Sequence, residues 1–157
     1  MQTFRDGQSA ILTDDRWAPV YFVTWFGATS EKTATGYFAW NRQVIETAIR
    51  TKTPTVLISD ATDAERPPPK VRALMAELSD AQPRAEGLVF SYVVLPNALI
   101  RGALTAMQWL TRKPWPIEMV ASLPEAIERA LAALDGAGAR RPAGLDPRGY
   151  VRPKRPT

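Results

Sequence analysis

The sequence contains neither cysteine nor histidine. Without cysteine there are no disulfides, thiolate metal ligands or thiol nucleophiles. Without histidine there is no Ser-His-Asp or Cys-His arrangement, no imidazole metal site, and the commonest general base near neutral pH is missing. Glycine-rich phosphate loops are also lacking: neither G-x-G-x-x-G nor G-x-x-x-x-G-K-[ST] occurs. Carboxylate, lysine or tyrosine chemistry remains, but no base, nucleophile and metal set converges in the sequence. We therefore expect no catalytic activity, cofactor or metal. No stretch of about 18 apolar residues and no basic head followed by an apolar run occurs, so a cytoplasmic protein without a transmembrane segment is expected.

What is present suits one globular domain. The 157 residues include five Trp, five Phe and four Tyr, mostly inside periodic segments, and a chain of this length can bury a core without staples. The net charge of +4 is unevenly placed, since residues 136–157 carry six basic residues against Asp146, or +5, which leaves −1 for residues 1–135. The basic character therefore belongs to the tail and not to a nucleic-acid-binding face of the domain. The tail is rich in Gly, Pro and Arg with almost no large apolar residues, and is expected to be disordered. Through it alone, nucleic acid, an anionic surface or an acidic protein could be met. Residues 1–7 are polar and expected to be flexible, which puts the domain at 8–135.

The apolar run Thr55-Val56-Leu57-Ile58, ending in Ser59-Asp60, reads as a central strand buried on both faces. Before it, Ser9–Thr13 and Val20–Phe26 read as two antiparallel strands. A helix capped by Thr29 or Ser30 follows, with Tyr37, Trp40, Val44 and Ala48, flanked by Phe38, Ile45 and Ile49, on its apolar face. After the central strand a polar loop, Asp60–Pro69, leads to a helix from about Lys70 with Val71, Leu74, Met75 and Leu78 inward. Gly87–Leu95 is the longest strand signal, followed by a helix with Asn97 as N-cap. Ile117–Ala121 is the last strand, and Ser122-Leu123-Pro124-Glu125 opens a helix that Gly136 is placed to end. Strands alternating with helices call for a mostly parallel sheet of about five strands flanked by four helices, an α/β fold.

Four residues stand out as candidate partner- or ligand-binding positions. Asp60 and Thr62 lie at the carboxyl end of the central strand, where ligands of open α/β sheets sit; Asp60 also suits a turn cap. Asn97 suits a plain N-cap. Arg101 sits one turn into its helix, where a cation opposes the helix dipole, so an acid should compensate it, either Asp60 or a ligand or partner. The run Asp60, Asp63, Glu65 reads as a solvated loop rather than a cation site. Trp115, beside Arg112 and Lys113, either meets a partner or packs over the sheet edge.

The element order, with Thr55–Asp60, the phrase Leu95-Pro96-Asn97-Ala98-Leu99-Ile100-Arg101-Gly102 and the closing Ser122–Ala126 helix start, resembles the STAS fold of anti-sigma-factor antagonists, in the SpoIIAA-like branch also labelled STAS/SEC14 domain proteins. The resemblance spans about residues 8–135. It implies a non-catalytic protein-interaction module of bacterial cytoplasmic signalling. Antagonists of this kind carry a phosphorylatable serine after the middle strand in a phrase like Asp-Ser-Ser-Gly, and Thr62 of Asp60-Ala61-Thr62-Asp63 falls at that place, although the glycine is absent and acids crowd it. The alternative is a carrier or sensor of a small molecule, a lipid or a nucleotide, held beneath the helices. Partner identity and oligomeric state are not readable from the residues.

Overall fold

A computed structural model describes the whole chain except residues 96–100, 103, 106–110 and 113–114. Six strands form one mixed sheet: β1 (Gln2–Asp6), β2 (Ser9–Asp14), β3 (Val20–Ala28), β4 (Thr55–Glu65), β5 (Val89–Val94) and β6 (Ile117–Val120), in that spatial order. The first three are antiparallel neighbours, and β3 to β6 run parallel. Three helices lie within the described residues, α1 (Glu31–Thr51), α2 (Pro69–Asp80) and α3 (Leu123–Gly136). Of the helix expected after β5, only Arg101, Gly102, Leu104 and Thr105 belong to the described residues, and they are helical.

The α/β class expected from the sequence is thus present, with six strands rather than five. The additional strand is β1, which replaces the flexible N-terminus expected over residues 1–7. Its pairing with β2 runs from Gln2↔Thr13 to Asp6↔Ser9, a hairpin closed by two residues with Gly7 at φ 55°. That left-handed conformation is one glycine adopts readily. Phe4, the large apolar residue of β1, packs against the core under α1.

Successive parallel strands lie side by side in one direction, so right-handed crossovers carry their helices to the same face. Helices α1 and α2 accordingly share a face with Val23, Trp25, Leu57 and Val89. The alternate residues Val20, Phe22, Val56, Ile58, Tyr92 and Val94 point to the opposite face, where they share one core with Ile127, Ala130, Leu131 and Leu134 of α3 and Leu145 of the tail. Local chemistry agrees with these elements. Ser30 caps α1 in a reciprocal capping box with Thr33, and Ser122 Oγ accepts from the Glu125 N–H at the start of α3. Ile49, expected on the buried face of α1, is exposed. Helix α3 runs through Gly136 and is ended by Gly138, the residue with φ 69°, where Ala139 N–H reaches the Leu134 carbonyl.

The tail, for which disorder was expected, lies against the sheet in the structure. Leu145 is buried, Tyr150 stacks on Phe22 with ring centres 4.0 Å apart, and Arg152 lies over the Phe26 ring. Arg155 donates to the Gln8 carbonyl. Helix α3 packs on β4, β5 and β6, so the β2–β3 part of this face needs another cover. A few well-placed side chains of the tail supply it.

At the edge of that cover, Arg16 grips Asp14 with both carboxylate oxygens, at 2.8 and 2.6 Å, and the Asp14 side chain is 2% exposed. The hydrogen bonds from Arg16 hold the Asp14 carboxyl below its ordinary range against the opposing effect of burial. A lowered folded-state pKa stabilises the protein above the unfolded value near 3.8, and that contribution is lost as pH falls through the folded value. Urea unfolding from pH 6 to pH 2 should therefore show a stability loss below about pH 4 that is shallower in Asp14→Asn. Equal slopes would contradict it.

Candidate functional site

Strand β4 is longer than its apolar run. Pairing with β5 ends at Asp60↔Val94, but pairing with β3 continues after a one-residue bulge, Thr24↔Asp60 being followed by Phe26↔Asp63. Thr62 therefore lies in a strand bulge and not at a helix start. The Pro67-Pro68-Pro69 stretch separates it from α2, whose N-cap is Pro68 without a side-chain cap bond. The polar loop expected over Asp60–Pro69 is strand as far as Glu65.

Asp60 is 3% exposed and faces the tail side of the sheet. One carboxylate oxygen accepts from the Thr62 N–H at 2.9 Å and from the Thr62 hydroxyl; the other accepts from Arg152 Nε at 2.8 Å. Arg152 Nη1 also donates to Asp63 at 2.6 Å. Burial pulls the Arg152 pKa down, but the hydrogen bond to Asp63 and the charges of both carboxylates outweigh it, and the net shift is upward. The guanidinium thus supplies the positive charge that these carboxylates need. No group of three or more metal-ligating residues occurs among the described residues.

Arg101 does not provide that charge. It is exposed, and its guanidinium donates to the Leu95 carbonyl at 3.1 Å. The compensation expected from an acid comes here from a backbone oxygen. Asn97 lies outside the described residues. Trp115 is half-buried, under the Arg84 guanidinium at 5.1 Å and against the α1-side core.

The opposite face of the sheet contains a feature lined by none of Asp60, Thr62 and Arg101. Between β3–β5 and helices α1 and α2 is a cavity of about 170 Å³. Trp25, Tyr37, Phe38, Leu57, Met75 and Trp115 are among its apolar lining, and Ser59, Ser91, Asn41 and Gln82 are among the polar residues in its wall. Exposed Glu65 and half-buried Pro67 also line it. Arg72, another lining residue, donates to the Pro67 carbonyl at 2.8 Å. Burial pushes the Tyr37 phenol up to about 12, with a smaller opposing effect from its hydrogen bond to Ser59.

The cavity has a local cause. Ser91 stands opposite Leu57 in the β4–β5 register and Ser59 opposite Val93, so small side chains sit where a filled core would have large ones. Asn41 follows Tyr37 by one helical turn and lies on the buried face of α1. A polar residue inside each apolar pattern was the available signal; the volume between them was not readable.

Among the described residues, no helix is long and apolar enough to cross a membrane. Compared with known proteins, the chain matches no family model, no curated protein and no solved structure. The likeness to STAS domains therefore rests on the phrases that carry it.

Proposed function

We propose that this domain is a non-catalytic binding module, a sensor or carrier, that takes a small and mostly apolar molecule between the sheet and helices α1 and α2. The observation that carries the reading is the apolar cavity of about 170 Å³ with a few polar groups in its wall, the usual makeup of a small-molecule site. Its volume is near that of an engineered cavity of about 150 Å³ that accepts benzene. A guest of about one ring is favoured over a nucleotide or a lipid.

The reading is tested by native mass spectrometry of the full chain purified from its own cells, beside Ser91→Leu, in which the larger side chain fills the cavity. A small molecule retained by the first and lost from the second is expected. Spectra that are identical and free of ligand across several growth states would contradict it.

One observation favours a second reading, the protein-interaction module of bacterial regulation that the STAS resemblance implies. Thr62 is exposed at the bulge, open to a partner or to a kinase. Asp60 would then act through it, since its carboxylate is buried and engaged.

A further inference from the structure

Asn41 is 7% exposed, lines the cavity, and its Oδ1 is buried without a hydrogen-bond partner among the described residues. The direction of this amide follows from its neighbour. Gln82 Nε2 donates to the Leu78 carbonyl at 3.0 Å, which turns Gln82 Oε1 toward Asn41, and Asn41 Nδ2 donates to that oxygen at 3.3 Å. Turning Asn41 over would set two acceptors against each other, so the free group is an acceptor. Buried acceptors in folded proteins are nearly always satisfied. The surrounding wall is aromatic, with Trp25 and Tyr37 packed edge to face at 4.7 Å between ring centres, a rigid surface that suits a planar ring. Among the described residues the charged ones of the wall are Arg72 and Glu65, of opposite sign, which gives no preference for a charged guest.

We infer that the ligand is an uncharged, one-ring molecule with an O–H or N–H donor, of the phenol or arylamine class, which donates to Asn41 Oδ1. This rests on the reading of the cavity as a ligand site. An apolar ring alone would leave the acceptor unsatisfied, whereas a donor on the ring completes it.

Phenol and toluene are near-isosteric and separate the two ideas. Calorimetric titration of each into the full chain should give phenol the tighter binding by about tenfold, the factor expected when a buried acceptor gains its partner. In Asn41→Leu the preference should reverse, with toluene retained and phenol lost. Toluene binding as tightly as phenol to the wild type would overturn the donor inference and leave the cavity reading standing. Binding of neither would overturn both. The wild-type pair decides even where Asn41→Leu fails to fold.

Discussion

Replacing Arg152 by Met should destabilise the domain by about 3 kcal/mol, the low end of what breaking a buried ion pair costs. Arg152 is far from the central strand in sequence, in a segment whose composition argues for disorder, yet its guanidinium meets Asp60 at 2.8 Å and Asp63 at 2.6 Å. The Asp60 side chain is 4% exposed and that of Arg152 33%. Removing the cation leaves a carboxylate that water reaches poorly. The low end applies because the two hydrogen bonds from Thr62 remain and because the guanidinium is itself partly solvated. For a chain of this length the corresponding fall in Tm is about 6–12 °C. The double variant Asp60→Asn/Arg152→Met should recover much of the loss, since no unpaired charge is then buried, and the coupling measured by the cycle should exceed about 1 kcal/mol. A single Arg152→Met variant within about 0.5 kcal/mol of wild type, the range of an ordinary surface change, would mean that the tail does not pack on the sheet as described.

Alkaline pH should act through Tyr37. Its phenol is buried and pushed up to about 12 against an ordinary value of 10.0. A folded-state value above the unfolded one means that the neutral form is favoured by folding. The stabilisation is complete below pH 10 and is lost as pH rises through 12, because the unfolded chain releases the proton first. By pH 12 this one group removes about 2 kcal/mol. Tyr21, Tyr92 and Tyr150 are shifted in the same direction, each chiefly by burial, so the wild type alone would not isolate the effect. The comparison that does is urea unfolding of wild type and Tyr37→Phe at pH 9 and at the highest pH where both still fold. The stability gap between the two proteins should move in favour of Tyr37→Phe as pH rises. A gap that stays constant would place the phenol in contact with water and open the cavity wall at that point.

How far the fold was legible follows from the range of the interactions involved. Thr55–Ser59, the apolar face of α1 around Tyr37 and Val44, and the Ser122 helix start are set by residues close in sequence, and their patterns are plain. The β1 hairpin had a local signal as well, Asp6-Gly7, but the strand it closes holds only Phe4 as a large apolar residue. The end of β4 was less readable. Its pairing with β3 beyond Asp60 goes through polar residues, Asp63 and Glu65, whose composition is that of a loop. The tail's order depends on the part of the sheet that α3 leaves open, a vacancy that no local pattern encodes. Leu145, Tyr150 and Arg152 match that vacancy although the segment around them has the composition of a disordered chain.

The candidate sites divide in the same way. The strand end at Asp60 was locatable because sheet topology favours that position, but its counter-ion was not, since Arg101 was the nearer cation in the expected topology and Arg152 is the one that arrives. Asn41 and Ser91 were visible as polar residues on apolar faces. Their meaning depends on the space between a helix and two strands, which is a property of packing and not of any one element.

The most direct test of the ligand-binding reading is amide NMR of the isotopically labelled full chain during titration with phenol, beside the Ser91→Leu variant. Saturable shifts confined to the cavity wall, at Trp25, Asn41, Ser59, Met75 and Ser91, and lost in the variant, are the predicted result. Absence of shifts, or shifts on the tail side around Phe22, Tyr150 and Arg152 that persist in the variant, would contradict it.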